Sequence, residues 1–346
     1  MRKSAHQVAL RSALAAALAG SALVLALAGC SGSESGADER LDSGTQPVDS
    51  TRVDIPAGAS ALAIGNALRD AGLIRTPRGF ALYVRLRGAQ SELKSGQYSI
   101  PSTAGWADIL EQLRRGQVLT LAVTIPEGFT LREIAPRLAE VSGVTADSVV
   151  ALAQSPDLTR QLGVPGPTLE GYLLPETYRF AEGVDPETVL QAMALAYLDF
   201  WTPERRALAD SLGLDERELV TLASIVEEEA RRPEERSLIA SVYLNRLRIG
   251  MLLQADPTVQ YALGAPRERL LYRDIDSVAD NPYNTYTHLG LPPGPISSPG
   301  AATLDATLRP EETDYLYFVA RPDGSHVFTR SAREHINAKN RIRRGG

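Results

Sequence analysis

Three consecutive glutamates, Glu227, Glu228 and Glu229, follow an apolar stretch of the chain. On a helix, where successive residues turn by about 100°, the apolar residues share one face, and Glu227 falls on it one turn after Ala223. Glu229 lies at the edge of that face. Burial disfavours the charged form of a carboxyl group and raises its pKa toward neutrality, which suits a general acid. The pattern predicts a general acid at Glu227, although an ion pair with Arg231, four residues later, would also explain it.

Two further segments carry polar residues that could bind a substrate. The first contains Gln254 and Asp256. An aspartate followed by a proline, here Pro257, is typical of a helix N-terminus with the aspartate as N-cap, which accounts for Asp256 without any chemistry. Gln254 has no such structural explanation.

The second segment, residues 281–296 (NPYNTYTHLGLPPGPI), is too rich in proline and glycine to form a helix or a strand. Loops of this length in compact domains are usually functional. Asn284, Thr285 and Tyr286 combine amide, hydroxyl and aromatic groups. This mixture suits sugars, because their ring faces stack on aromatic rings while their hydroxyl groups need hydrogen bonds. A rigid structural loop is the alternative.

The elements that would position these residues are mainly helical. Amphipathic sequence predicts helices over three stretches: 186–212, 219–231 and 237–249. The helix that carries the glutamates should direct Thr221 and Ser224 into water beside Glu228. A hairpin is predicted from strands 315–319 and 326–328, which an Asp-Gly turn joins. We expect this hairpin to cover one side of the helical site.

The sequence before residue 145 contains a repeat. The pattern V-x-I-P, followed by Ile and Leu four residues apart, begins at Val53 and again at Val123, and a partial copy begins at Tyr98. Proline ends each predicted strand, and the Ile and Leu share one face of a short helix. Each copy is therefore predicted as a strand, a turn and a helix. Such units resemble LysM-type glycan-binding modules, while a scaffold that never contacts sugar fits the repeat equally well.

The N-terminus has the character of a membrane-targeting segment. Residues 1–30 carry only positive charges, and the stretch from Ser12 to Gly29 is apolar or small, which predicts an export signal or a membrane anchor. The stretch ends in LAGC, which resembles the lipobox of bacterial lipoproteins and makes Cys30 a candidate for lipidation. An uncleaved transmembrane helix and a chance cysteine are the alternatives. Residues 31–50 are polar and predict a flexible tether.

The composition excludes several classes of protein. The 346 residues are 44% hydrophobic and 23% charged, which fits neither a disordered chain nor a multi-span membrane protein. The net charge of −6 argues against nucleic acid binding, since phosphate recognition needs a clustered basic surface. One cysteine and four scattered histidines give no metal-ligand spacing, and glycine motifs for phosphates or dinucleotides are absent, so we expect no metal and no cofactor. The length predicts two folded parts.

Five motifs together resemble the YceG-like endolytic murein transglycosylases. In chain order they are residues 223–227 (ASIVE), 253–259 (LQADPTV), 283–286 (YNTY), 290–296 (GLPPGPI) and 315–319 (YLYFV). The resemblance extends from about residue 51 to the end of the chain. Glu228 and Ala230 differ from the residues that usually follow the glutamate in this family's motif. The lipobox-like ending differs from the plain transmembrane helix that is usual there.

The resemblance implies an α+β fold and a peptidoglycan lyase. Glu227 takes the position of the family's essential glutamate, which would cleave nascent glycan strands between MurNAc and GlcNAc, form 1,6-anhydro ends and terminate strand elongation. Peptidoglycan strands are the implied substrate, and peptidoglycan synthases are possible partners. The residues expected to bind substrate are Glu229, Gln254, Asp256, Asn284, Thr285 and Tyr286.

The expected domain limits follow the same division of the chain. They are an anchor over 1–30, a tether over 31–50, a LysM-like domain over 51–165 and a catalytic domain over 166–346. A single anchor in the cell (plasma) membrane would leave the catalytic part on the extracytoplasmic side. Two alternatives stay open: a hydrolytic muramidase, with Asp256 or Glu229 as its second carboxylate, and a non-catalytic glycan-binding scaffold.

Overall fold

The computed structural model describes residues 49–265, 267 and 269–345. The predicted anchor over 1–30, with Cys30, and nearly all of the predicted tether lie outside the described residues. Among the helices of the described part, none is long and apolar enough to cross a membrane. The described chain mixes helices with three small two-stranded sheets, as the predicted α+β class requires.

Residues 49–118 contain the copies of the repeat that begin at Val53 and Tyr98. Their elements are β1 (Ser50–Ile55), α1 (Ala61–Asp70), α2 (Pro77–Leu86), β2 (Gly96–Pro101) and α3 (Trp106–Arg115). β1 and β2 pair antiparallel with Val53 opposite Tyr98, so alternate side chains of both strands face one core. Ser60 caps α1 by accepting a hydrogen bond from the backbone N–H of Ala63.

The copy that begins at Val123 is the first unit of the next part of the chain. Its elements and those that follow are β3 (Thr120–Thr124), α4 (Leu131–Ser142), α5 (Ala146–Ala153), α6 (Pro156–Leu162) and β4 (Thr177–Ala181). β3 pairs antiparallel with β4, and Val123 lies opposite Tyr178. A capping box between Thr130 and Glu133 begins α4. All three predicted strand-turn-helix units are therefore confirmed as elements, while their likeness to a LysM module stays a prediction.

The C-terminal part is mainly helical. It contains α7 (Pro186–Phe200), α8 (Pro203–Ser211), α9 (Glu216–Glu229), α10 (Arg236–Arg248), α11 (Asp256–Leu263), α12 (Tyr272–Ser277), α13 (Ala301–Leu308), β5 (Tyr317–Ala320), β6 (His326–Thr329) and α14 (Ala332–Arg343). The helix predicted over 186–212 is divided in two, because Thr202 caps a new helix that begins at Pro203. As predicted, residues 281–296 form neither helix nor strand.

The prediction that Thr221 and Ser224 point into water is wrong, whereas Glu228 on the same helix is exposed, as predicted. Thr221 and Ser224 are 1% and 0% exposed, because α9 is packed on opposite sides by two clusters of apolar residues. Each hydroxyl group donates a hydrogen bond to a carbonyl of its own helix, Thr221 to Arg217 and Ser224 to Thr221. These bonds allow polar side chains inside a buried helix.

The hydrophobic core does not divide at residue 165. One cluster of buried residues lies within 53–113, and a second extends from Val123 to Leu308. A third joins α9 and α10 to Ile296 in the long loop. The domain limits 51–165 and 166–346 stay a prediction, but the packing joins the copy that begins at Val123 to the helices after it.

The C-terminal hairpin packs against α10 and so covers one side of the helical part, as expected. The ring of Phe318 meets that of Tyr243 edge-on, with their centroids 5.8 Å apart. Arg246, which is 7% exposed, donates from Nε to the carbonyl of Leu316 at 2.6 Å. The hairpin therefore fixes the outer face of α10.

Candidate active site

Glu227 lies in the last turn of α9, with its side chain 7% exposed. Its Oε2 accepts a hydrogen bond from the backbone N–H of Gly300, at 2.9 Å. Its Oε1 accepts one from Nη2 of Arg236, at 3.2 Å. The cation that pairs with Glu227 is thus Arg236, at the start of α10, rather than Arg231 as the alternative predicted.

The turn after β3 forms one wall around this carboxyl group. The backbone N–H of Gly128 donates to the carbonyl of Ser298, and the N–H of Ser298 donates back to the carbonyl of Phe129, both at 2.9 Å. Gly128 has a φ of +78°, and a Cβ there would lie 2.9 Å from Oε1 of Glu228. The turn therefore needs glycine both for its backbone and for its close approach to α9.

A second carboxylate, that of Glu127, belongs to the same turn. Its Oε2 accepts from Nη2 of Arg236 at 3.0 Å, so one nitrogen serves both Glu127 and Glu227. The side chain of Glu127 lies directly against Gly300, where any Cβ would overlap it. Glycine at position 300 therefore allows the backbone N–H to reach Glu227 past Glu127.

Glu228 is exposed in part and lies beside Ser297 and Gly128. Partial burial raises the pKa of Glu228 to about 7, against the hydrogen bond with Ser297, and the nearby charges of Glu133 and Glu227 act in the same direction as burial. A group with this pKa exchanges protons near neutral pH, next to the candidate acid.

Glu229 and Asp256 form a separate group with two tyrosines. Oε1 of Glu229 accepts from the hydroxyl of Tyr243 at 3.1 Å, and Oδ1 of Asp256 accepts from that of Tyr286. Burial raises the pKa of Glu229 to about 7, and the carboxylate of Asp256 acts in the same direction. Residues two apart on a helix point about 200° apart, so Glu229 faces away from Glu227.

The predicted N-cap role of Asp256 is wrong. The N-cap of α11 is Ala255, and Asp256 is the first helical residue, with its side chain directed to Tyr286. Gln254, two residues before Asp256, is exposed and has a φ of +47°. Among the non-glycine residues of the described chain, it alone has a positive φ. Such backbone strain is typical of positions that contact a ligand.

Asn284 and Thr285 are buried, at 0% and 1% exposure. The amide of Asn284 donates to the carbonyls of Ile275 and Val278, and Oγ1 of Thr285 accepts from the N–H of Ala255 at 3.0 Å. Both side chains fix the long loop to α11 and α12. Direct contact of either with a substrate stays a prediction.

The comparisons with known proteins show which family the chain resembles. The model of the YceG-like family matches residues 53–341. The chain belongs to the YceG-like family. It is 35% identical over 309 residues to an endolytic murein transglycosylase of Bacillus subtilis, covering 83% of each chain. It is 32% identical to one of Streptococcus pneumoniae, covering 83% of this chain and 58% of the relative. A YceG-like protein of Listeria monocytogenes, solved by crystallography, has a TM-score of 0.58 at 32% identity, over 84% of this chain and all of that one.

The family predicted from the five motifs is thus confirmed, and the relatives are named for the class of enzyme that the motifs implied. In this YceG-like chain, the part that the structure describes holds no group of three or more His, Cys, Asp or Glu side chains able to bind a metal ion. Around Glu227 lie a guanidinium and a backbone N–H, which donate hydrogen bonds, and further carboxyl groups, which can exchange protons.

Sequence analysis of this YceG-like chain missed Glu127, Arg236 and Gly300, which surround Glu227. One signal for Glu127 does exist in the repeat. The turn I-P-x-G has Ala57 in the first copy and Glu127 in the copy seventy residues later, so a carboxyl group replaces a methyl group in an otherwise matching turn. Glu170, a buried carboxyl group, was also missed.

Proposed function

We propose that this chain is an endolytic peptidoglycan lytic transglycosylase in which Glu227 is the catalytic residue. The observation that carries the proposal is the position of Glu227, at the end of a buried helix, with both carboxyl oxygens held by Gly300 and Arg236. The names of the relatives support the substrate, which is murein. The cleaved bond would be the one between MurNAc and GlcNAc.

The reaction needs one carboxyl group in two roles. Protonated Glu227 gives its proton to the glycosidic oxygen, and the bond to C1 of the muramyl ring breaks. The C6 hydroxyl of the same ring then attacks C1 while Glu227 takes the hydroxyl proton back, which closes the 1,6-anhydro ring. No water is consumed, and the enzyme ends in its starting protonation state. Bonds from Gly300 and Arg236 would stabilise the carboxylate that exists between the two proton transfers.

The long loop and the start of α11 supply the groups expected to contact sugar. The hydroxyl of Tyr286 donates a hydrogen bond to the carboxylate of exposed Asp256, and exposed Gln254 lies two residues before Asp256. We propose that these three residues contact the glycan directly. Asn284 and Thr285 would act indirectly, by fixing the loop to the residues beside it. Glu229 would act through its hydrogen bond with Tyr243.

A hydrolytic muramidase is the second candidate, because a second carboxylate lies near Glu227. That carboxylate is Glu127, which shares Nη2 of Arg236 with it. A pair of carboxyl groups at close range is the arrangement that hydrolytic glycosidases use. The rivals that sequence analysis proposed for this role, Asp256 and Glu229, lie on another side of α9.

The test is digestion of purified glycan strands by the full chain, with the products read by mass. We expect 1,6-anhydro ends from the wild type, and a rate about 10²–10⁴-fold lower for Glu227→Gln. Glu234→Gln, at an exposed position nearby, should keep the wild-type rate. Ends that carry an added water would establish a muramidase instead. No cleavage products from either protein would leave a non-catalytic scaffold, and equal rates of cleavage by both would exclude Glu227 as the catalytic residue.

We also propose that residues 1–30 hold the enzyme at the plasma membrane, with the catalytic part on the extracytoplasmic side. Strand termination beside a peptidoglycan synthase and glycan binding by a LysM-like part over 51–165 belong to the same proposal. Its support is the apolar N-terminal sequence that ends at Cys30. The intact mass of the mature protein separates a lipidated Cys30 from an uncleaved Met1.

A further inference from the structure

Arg236 lies between two carboxyl groups and uses a single nitrogen for both. Its Nη2 is 3.0 Å from Oε2 of Glu127 and 3.2 Å from Oε1 of Glu227. The Arg236 side chain is 12% exposed, and its Nε is buried without a hydrogen-bond partner among the described residues. Neither carboxylate is held by the paired bonds that a guanidinium can give, so the two compete for one donor.

The two carboxyl groups differ in their access to water. The side chain of Glu227 is 7% exposed, and that of Glu127 is 45% exposed. Removing a negative charge from water costs free energy, so the charge that balances Arg236 is more stable on Glu127 than on Glu227. One cation faces two carboxyl groups, and Glu127 balances its charge at the lower cost of desolvation.

The position of Glu127 does not depend on the ion pair. Two backbone hydrogen bonds between Gly128, Ser298 and Phe129 fix its turn, and the capping box of Thr130 fixes the start of α4 just after it. The side chain is further confined by its contact with Gly300. Glu127 is therefore held beside Arg236 whether or not Glu227 is charged.

Two other carboxyl groups approach Glu227 from the elements around it. Glu228 is its neighbour on α9, and Glu133 on α4 lies near Glu228. Both add negative charge to the surroundings of Glu227. Arg236 and the N–H of Gly300 act in the opposite direction, and Glu127 offsets Arg236.

We propose that Glu127 is a positioning residue of the transglycosylase reaction, which neutralises Arg236 and so lets Glu227 keep the proton that it donates. This inference rests on the proposed function of Glu227. During the reaction Glu127 exchanges no proton. Glu227 loses its proton to the glycosidic oxygen, Arg236 Nη2 pairs with the new carboxylate, and Glu227 regains a proton from the C6 hydroxyl.

The test is the pH profile of kcat/KM for the formation of anhydro ends by the full chain. In Glu127→Gln, Arg236 has Glu227 as its only carboxylate, so the protonated form is lost at lower pH. We expect the alkaline limb to move down by about one pH unit, with the rate on the acid side within about threefold of the wild type. Arg236→Gln should move the same limb to higher pH.

Glu140→Gln is the matched control, because Glu140 is exposed on α4 and the substitution makes the same change of charge. Its limb should stay in place. A Glu127→Gln variant that loses rate equally at every pH, or whose limb stays with that of Glu140→Gln, would overturn the inference. If the wild type forms no anhydro ends, the proposed function itself fails. Thermal unfolding of each variant confirms that it is folded, and should Arg236→Gln not fold, Glu127→Gln and Glu140→Gln decide alone.

Discussion

Glu170 is a buried carboxyl group that links three separate segments. Its Oε1 accepts from the N–H of Leu131, at the start of α4, and its Oε2 accepts from the hydroxyl of Tyr261 on α11. Burial raises the pKa of Glu170 to about 8, against those two hydrogen bonds, with the charge of Glu133 acting in the same direction as burial. At neutral pH the group is therefore mostly protonated and neutral in the folded protein.

This pKa predicts how stability changes with pH. Because the pKa of Glu170 is raised above its value of about 4.5 in the unfolded chain, its contribution is fully present below pH 4.5 and is lost as pH rises through about 8. Glu170→Gln cannot ionise and keeps a similar shape. We expect the wild type to lose more unfolding free energy than Glu170→Gln between pH 5 and 8, by on the order of a few kcal/mol. Urea unfolding at both pH values measures the difference.

Glu182→Gln provides the comparison, because Glu182 is exposed and its substitution should leave the pH dependence of the wild type unchanged. Glu228 and Glu229, whose pKa values are also raised, contribute a decline of the same sign in all three proteins. Parallel pH curves for the wild type and Glu170→Gln would contradict the prediction.

At the residue scale, the sequence predicts that Glu227 lies on the apolar face of its helix, but it does not predict the residues that surround it. Its position follows from a local period, since one helical face collects the apolar residues and one glutamate. Its partners come from distant parts of the chain: Glu127 lies 109 residues from Arg236, and Gly300 lies 73 residues from Glu227. No local spacing encodes such contacts, because they depend on how separate elements pack.

At the element scale, strands and helices are predicted better than their partners. The pattern V-x-I-P identifies β3, but its pairing with β4 brings Val123 to Tyr178 across three helices and a turn-rich segment. The helical periodicity predicts that Thr221 and Ser224 face water, because their side chains are polar. Once each bonds to a helix carbonyl, burial costs little, and only the packing reveals it.

The long loop depends on Ser224 for its attachment to α9. The hydroxyl of Ser224 is fully buried and accepts the N–H of Ile296 at 3.0 Å. In Ser224→Ala this N–H loses its partner in apolar surroundings. We expect the free energy of unfolding to fall by about 1–3 kcal/mol, measured by urea denaturation.

Ser211→Ala removes a hydroxyl of the same kind from an exposed position on α8, where it bonds only within its own helix. Its effect should stay within about 0.5 kcal/mol. Similar losses in the two variants would show that the bond to Ile296 does not hold the loop.

At the scale of the whole molecule, the clusters of buried residues indicate which elements fold together as one unit. Buried residues of β3, of the position just after it and of α4, including Val123, Ile125, Ile134 and Leu138, share one cluster with helices α7 and α9. The earlier copies, residues 53–113, have a cluster of their own. The copy that begins at Val123 therefore belongs by its packing to the helices after it, although its sequence resembles the copy that begins at Val53.

Two truncated chains test this assignment. Residues 119–346 retain the whole shared cluster and should unfold in one cooperative transition. Residues 166–346 lack the four side chains above, and each buried aliphatic group contributes about 1.5–3 kcal/mol. Their loss removes on the order of 6–12 kcal/mol, comparable to the total stability of about 5–15 kcal/mol that a typical domain has. The shorter chain should show no cooperative thermal transition. If both chains unfolded cooperatively at similar temperatures, the domain boundary would lie at 165. In that case the turn that carries Glu127 would reach Arg236 as part of a separate domain, and its ion pair would form across an interface between two domains.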